Sequence, residues 1–243
     1  MTPDPTRIAM WSGPRNLSTA MMYAFAARGD CAVWDEPFYA AYLQKSGIIH
    51  PMNDQVIAAG EPDPIRVGSA CLGPIPASQR LFYQKHMTLH MIPKFARGFM
   101  RGLTNVFLIR HPAHVVASYA QKREAPTLAD IGFVQQAELF DQVAQWQGHA
   151  PLVIDSADIR ANPRANLSKL CAALGIDFTE TMLHWPAGPK AYDGVWAPHW
   201  YNAVHKSTGF ADPEGPRPDL PPDYARISDL ALPLYEKLSG HKL

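Results

Sequence analysis

The chain has 243 residues, 47% of them apolar and 18% charged, which suits one large domain with a sizeable core and excludes a disordered chain. Twenty-two basic residues balance 22 acidic ones, so bulk charge offers no general affinity for nucleic acid. Cys31, Cys71 and Cys171 stand far apart with no CxxC pair, which argues against a disulfide framework or zinc site and fits a reducing, cytoplasmic setting.

In chain order, RIAMW (7–11) reads as a buried strand and LSTAMMYAFAARG (17–29) as a helix ended by Gly29. The residues before this strand lack a basic-then-apolar leader, so no signal peptide is expected. CAVWD (31–35) follows as a strand, then EPFYAAYLQKSG (36–47) as a helix opened by Pro37 and closed by Gly47. Residues 48–78, rich in Pro, Gly and Ala, show no clear period and read as a lid or an insertion. RLFYQKHM (80–87) is a strand, residues 88–100 hold a short helix, and NVFLIR (105–110) is the clearest strand in the chain. PAHVVASYAQKR (112–123) and DIGFVQQAELFDQVAQWQG (130–148) read as helices, PLVIDS (151–156) as a strand and NPRANLSKLCAALG (162–175) as a helix. Residues 176–220 are irregular and rich in Pro and Trp, and PPDYARISDLALPLYEKLSG (221–240) is a final helix that Pro233 should kink or break. No apolar run approaches the roughly 18 residues of a membrane span, so no membrane contact is expected.

Continuous apolar strands alternating with helices predict an α/β protein: three layers, α/β/α, around a central parallel sheet covered on both faces. In such sheets a ligand sits beyond the carboxyl ends of the strands. Two stretches fall there. In the first, MWSGPRNLSTAMMYAF (10–25), the chain turns from strand to helix through Pro14, Arg15, Asn16, Leu17, Ser18 and Thr19. A helix N-terminus offers unpaired N–H groups and partial positive charge, and Arg15 adds a fork of donors, so the turn reads as an anion cradle. It lacks the Gly-Lys-Ser/Thr ending that holds a nucleoside triphosphate with magnesium, which suits one phosphate and no metal. The plainer reading makes Ser18 or Asn16 a helix cap and Arg15 a surface residue. In the second stretch Arg110 ends a strand and Ser118 lies two turns into the next helix, where a guanidinium can grip a phosphate bidentately. The competing roles are an ion pair for Arg110 and a back-bond to the His114 carbonyl for Ser118. Residues 80–123 hold eight Lys or Arg, four His and no acid, which is either an anion site or a solvated basic face.

Together these stretches resemble the sulfotransferases that use 3′-phosphoadenosine-5′-phosphosulfate (PAPS). Pro14-Arg15-Asn16-Leu17-Ser18-Thr19-Ala20-Met21 is similar to that family's 5′-phosphosulfate loop, P-[KR]-S-G-S/T-T-x-L. The run from Arg110 to Ser118 is similar to its 3′-phosphate segment, R-x-P-x-D-x-x-x-S, and VIDSADIRANPRANLSKLCAALGIDF resembles a later strand and helix. A subgroup opening with SGPRxLSTAM and DEPxYA, whose members are labelled branched-chain aminotransferase-like, also looks similar, although nothing in these residues points to pyridoxal-phosphate chemistry. The resemblance implies a P-loop-like fold over a single domain, residues 1–243, with PAPS as co-substrate, no metal, and a small-molecule acceptor. Residues 48–78 would then be the lid or insertion and 176–220 an acceptor-side segment. The departures are Leu17 in place of a family Gly, Ala113 and His114 in place of a variable-Asp pair, and no evident Arg-Lys-Gly clamp, for which Lys190 or Lys206 would have to substitute. A non-catalytic nucleotide-binding protein and a P-loop phosphotransferase are the alternatives. The protein is expected as a monomer or homodimer.

Sulfuryl transfer needs a base for the acceptor, a cation for the leaving oxygen and an in-line arrangement. Arg15 is the first candidate cation and Lys85, near the tip of LFYQKHM, the second. Glu36 is the first candidate base because it comes directly after a strand at the edge of the same crevice; its other role would be to favour a helix N-terminus, with Asp35 as cap. His86 is the second, but strand alternation turns it away from the face of Lys85 unless a bulge intervenes. Trp185, Tyr192, Trp196, Trp200 and Tyr201 read either as the wall of an acceptor pocket, with His199 or His205 reaching in, or as packing of a loop-rich tail.

Overall fold

Five apolar runs form five parallel strands: β1 (Thr6–Ser12), β2 (Cys31–Asp35), β3 (Leu81–Met87), β4 (Thr104–Ile109) and β5 (Leu152–Asp155), in the order β2-β3-β1-β4-β5. The structure is a computed structural model that describes residues 5–121 and 126–243. Lys122 and Arg123, which close the basic segment and the helix expected over 112–123, lie outside the described residues.

Alternation along the strands feeds two cores. Ile8, Met10, Tyr83, Val106 and Leu108 point to one face, under α1 (Ser18–Ala26) and α8 (Pro163–Ala173). Ala9, Trp11, Phe107 and Ile109 point to the other, under α6 (Phe133–Gln147) and α10 (Pro222–Ser239), with α5 (Pro112–Ala120) packed on α10. These are the three layers that the strand pattern predicts.

Several boundaries differ from expectation for local reasons. The helix expected from Glu36 starts at Tyr39 as α2 (Tyr39–Ser46), because Glu36 takes a left-handed φ of 42° and both acids turn away to meet Lys85. Residues 48–78 are structured: α3 (Asn53–Ala59) and α4 (Pro64–Cys71), the latter capped by Asp63 at 2.9 Å, belong to the β2–β3 crossover. Residues 88–100 hold two 3-10 turns, Thr88–His90 and Gly98–Gly102, rather than one helix, since Pro93 interrupts the run. A further helix, α7 (Ser156–Ala161), is capped by the Asp155 carboxylate, which accepts from Ala157 N–H at 2.9 Å. α10 continues through Pro233, which is exposed, because contacts with α5 and α6 hold both halves. A short α9 (Ala197–Trp200) lies in the irregular tail.

The turn after β1 is pressed against the entry to α6. A Cβ on Gly13 would lie 2.5 Å from the carbonyl oxygen of Ile131, a backbone atom with nowhere to go. Gly13→Ala is therefore expected to lower unfolding free energy by about 1–3 kcal/mol in urea titrations, the usual cost of overpacking. Unchanged stability would show that this contact is soft.

Candidate active site

All five strands run the same way, so their carboxyl tips share one edge of the sheet and the strand order becomes the order of the site. Glu36 follows β2, Lys85 sits near the end of β3, the turn 13–17 follows β1, Arg110 follows β4 and Ser156 follows β5. One cavity of about 380 Å³ runs along this edge and is lined at one end by Glu36 and Lys85, in the middle by residues 14–20, and at the other end by Arg110 and Ser118.

The central turn is built from two left-handed residues, Arg15 (φ 64°) and Leu17 (φ 70°). Alternating such residues turns successive N–H groups inward, the geometry of an anion-binding nest. Leu17 thus adopts the positive φ for which the resembling loops use glycine, at a cost of about 1–2 kcal/mol. It is the N-cap of α1 and makes no side-chain cap bond. Among the described residues nothing accepts a hydrogen bond from the N–H groups of residues 15–20, so neither Ser18 nor Asn16 caps the helix. Asn16 is buried instead, its amide donating to the Leu108 carbonyl at 3.3 Å.

At the β2–β3 end the register sets Asp35 opposite Lys85. The Lys85 ammonium donates to Asp35 Oδ1 at 2.9 Å, to Glu36 Oε1 at 2.6 Å and to the Tyr201 hydroxyl at 2.6 Å; Tyr201 in turn donates to Asp35 Oδ2 at 2.7 Å. Asp35 also accepts from Gly194 N–H at 3.1 Å, so it ties the tail to the sheet rather than capping α2. Burial pulls the Lys85 pKa down, but Asp35 and Glu36 outweigh it and hold it above the ordinary lysine value. Burial raises the pKa of Glu36; Lys85 opposes this, Asp35 adds to it, and the net shift is upward. Glu36 Oε2 lies 4.0 Å from His90 Nε2, and His90 is buried, stacked on Tyr39 and Tyr42, and kept neutral by desolvation.

At the other end Arg15 Nε donates to Ser118 Oγ at 2.9 Å, which replaces the expected back-bond to His114. Arg110 Nη1 donates to the Arg15 carbonyl at 2.6 Å and couples the strand tip to the turn. Burial, then the neighbouring Arg110, lowers the Arg15 pKa. Arg110 also forms the ion pair considered from sequence: its Nε meets Glu214 Oε1 at 2.5 Å, and Arg160 Nη1 reaches the same oxygen at 3.0 Å. Ser156 Oγ is buried on the cavity wall without a partner.

Several expectations need correction. His86 does not reach the cavity: no bulge interrupts β3, so the residue faces away from Lys85. It stacks on Trp11 at 4.3 Å, contacts Gln84 Oε1 at 3.1 Å, and its pKa is pushed down to about 3 by burial. Lys85 is no free cation for a leaving group, being neutralised by two carboxylates. Lys190 donates to the carbonyls of Pro186 and Gly188, and Lys206 lies in a 3-10 turn outside the cavity lining, so neither replaces the missing clamp. His205 bonds Asp193 at 2.9 Å and His199 packs edge-on against Trp200; neither reaches in. The aromatic tail divides: Trp185 and Trp196 pack in cores, whereas Trp200 and Tyr201 line the cavity. Of the described cations in residues 80–123, Lys85 and Arg110 line the cavity, while Arg97 faces Glu138 and Arg101 covers Trp146. Asp35 as a lysine partner, His90, Arg160 and Glu214 were missed. An acidic pair after one strand beside a lysine on another was the available signal for Asp35; Arg160 and Glu214 stand in no periodic pattern.

A nest of unpaired N–H groups, arginines that follow β1 and β4, and a buried carboxylate thus share one cavity at the carboxyl edge of a parallel sheet. A profile of the sulfotransferase domain matches residues 6–241, and the chain belongs to that family. It is 34% identical over 238 residues to branched-chain-amino-acid aminotransferase-like protein 1 of Arabidopsis thaliana, covering 98% of this chain and 42% of that protein. The chain therefore spans about two fifths of the length of that relative. The sulfotransferase domain from the curacin biosynthetic pathway superposes with a TM-score of 0.52 at 17% identity, covering 93% of this chain and 97% of the domain. A sulfotransferase from Alicyclobacillus acidocaldarius gives 0.53 at 10% identity, covering 98% and 97%. At these identities the structures establish the shared fold.

The lysine at the centre of the acidic pair gives a sharp test. Lys85→Met leaves Asp35 and Glu36 buried side by side and should cost about 3–5 kcal/mol of stability near pH 8. In the variant Glu36 loses the ammonium that opposes its upward shift, so burial and the neighbouring Asp35 raise its pKa further above the unfolded value. Proton uptake then favours the folded state, so the deficit should shrink as the pH falls toward 5. Urea titrations at the two pH values check this; an equal deficit at both would dismiss the ion-pair assignment.

Proposed function

We propose that the chain moves a sulfuryl group from PAPS to a hydroxyl or amine of a small-molecule acceptor. One observation carries the reading: a single cavity joins an uncapped anion nest to a guanidinium pair on one side and to a buried carboxylate on the other. The residues present suit the co-substrate. Residues 15–20 offer N–H donors to the 5′ end, Arg110, Ser118 and Arg160 face the 3′ end, and the unpartnered Ser156 hydroxyl adds a donor nearby.

In the reaction the acceptor oxygen or nitrogen forms a bond to sulfur while the bond from sulfur to the bridging phosphate oxygen breaks. The proton released by the acceptor goes to Glu36, whose pKa burial raises, making it a stronger base than an exposed carboxylate. Lys85 holds that carboxylate in place, so its rotamer is set before the acceptor arrives. Charge gathering on the leaving phosphate is met by the nest N–H groups, which need not reorganise during transfer. Tyr39, Trp200 and Leu89 give the acceptor end apolar walls.

Calorimetry with 3′-phosphoadenosine-5′-phosphate tests the grip. Binding should persist in excess chelator, and Arg110→Ala should weaken it by about 100-fold, the loss of one strong charge-assisted contact. Equal affinity in that variant would take Arg110 out of the nucleotide site. Glu36→Gln should retain this affinity yet slow transfer of labelled sulfate to a pooled small-molecule extract by about 100-fold or more. Undiminished transfer would assign the proton to another group.

A further inference from the structure

We infer that Glu214 is an internal stand-in for a phosphate, which holds the guanidinium pair until a nucleotide that brings a 3′-phosphate of its own displaces it; this rests on the nucleotide-site reading above. The Glu214 side chain is only 6% exposed. One of its oxygens takes both available guanidiniums, Arg110 Nε at 2.5 Å and Arg160 Nη1 at 3.0 Å, and the other lies 3.6 Å from His114 Nε2. Nothing else among the described residues offers these two arginines a carboxylate within ion-pair distance. A phosphate gripped by the pair must displace Glu214, because a second anion against the same fork would meet like charge in a half-buried site.

The backbone around Glu214 is built to let it go. Residues 211–220 make no backbone–backbone hydrogen bond among the described residues. The segment is anchored at its ends, by Phe210 against Trp185 at 5.2 Å and by Leu220 in the cluster between α5 and α10. Between them, among the described residues, the side-chain hydrogen bonds and ion pairs that tie the segment to the rest of the chain are those of Glu214 and a bond from Arg160 Nε to the Asp212 carbonyl at 2.7 Å. Moving this strap therefore breaks few bonds besides the ones that the incoming phosphate replaces. A phosphate dianion carries more charge and more acceptor oxygens than a carboxylate, so it wins the exchange. A nucleotide without a 3′-phosphate offers no replacement and leaves the arginines with Glu214.

Titration of the full chain with 3′-phosphoadenosine-5′-phosphate and with adenosine 5′-monophosphate, on the parent, Glu214→Gln and Glu214→Ala, tests the exchange. Removing the competing charge should tighten the bisphosphate by about tenfold in both variants and leave the monophosphate within about twofold. In the parent, amides of residues 211–220 should exchange faster with the bisphosphate bound and unchanged with the monophosphate. Bisphosphate affinity that is unchanged or weaker in both variants, or slower strap exchange on binding, would overturn the inference. If Arg110→Ala leaves bisphosphate affinity intact, the nucleotide-site reading itself fails; a sensitive Arg110 with an indifferent Glu214 removes the exchange alone.

Discussion

The site depends on one constraint: β1 lies at the centre of a fully parallel sheet, with β3 on one side and β4 on the other. Parallel strands deliver every carboxyl tip to the same edge, spaced by about 4.8 Å per strand. The four steps from β2 to β5 therefore spread the residues at the strand tips over about 19 Å. Reversing a single strand would remove its tip residue to the far edge. The linear sequence of groups, carboxylate, lysine, nest, arginine and hydroxyl, is thus a consequence of strand order, and Glu36 and Ser156, 120 positions apart in the chain, line one cavity.

Within that row two pairs of charge differ in kind. At the β2–β3 end two carboxylates share one buried ammonium, and a tyrosine hydroxyl completes the network. Desolvating three charges is expensive, and such a cluster contributes little net stability even when every partner is satisfied. Its physical effect is on Glu36: the carboxylate is fixed in direction by Lys85, raised in pKa by burial, and held by a backbone at φ 42° that a non-glycine residue adopts only when its surroundings impose it. Strain, desolvation and orientation thus converge on one side chain facing the cavity.

The sheet, the helices of both layers and the positions of Glu36, Arg15 and Arg110 at strand tips were legible in the sequence because they follow from local pattern. RIAMW, LFYQKHM and NVFLIR are apolar runs, and the residues just past the end of each run have to lie at the carboxyl edge. The period of two also separates Lys85 from His86, a separation that an unbulged strand enforces. The groups that stayed hidden depend on contacts distant in sequence. Asp35 faces Lys85 only once β2 pairs with β3, and Tyr201 reaches both through a tail without periodicity. Arg160 and Glu214 come together across 54 residues, with nothing in the proline-rich run around Glu214 to mark its side chain as buried.

The occupancy of the guanidinium pair follows from the same electrostatics that make it a site. Arg15, Arg110 and Arg160 crowd the nest and the β4–β5 tips, and burial together with mutual repulsion lowers the pKa of Arg15. A cavity wall with this density of positive charge is stable only with an anion against it. Burial also pulls Arg110 down, and Glu214, with a smaller contribution from Asp155, opposes that shift without reversing it. The carboxylate and an incoming phosphate are thus alternative answers to one imbalance. In the exchange proposed above, the protein carries the weaker answer on a segment that makes no backbone–backbone hydrogen bond among the described residues, an arrangement suited to exchange rather than permanent neutralisation.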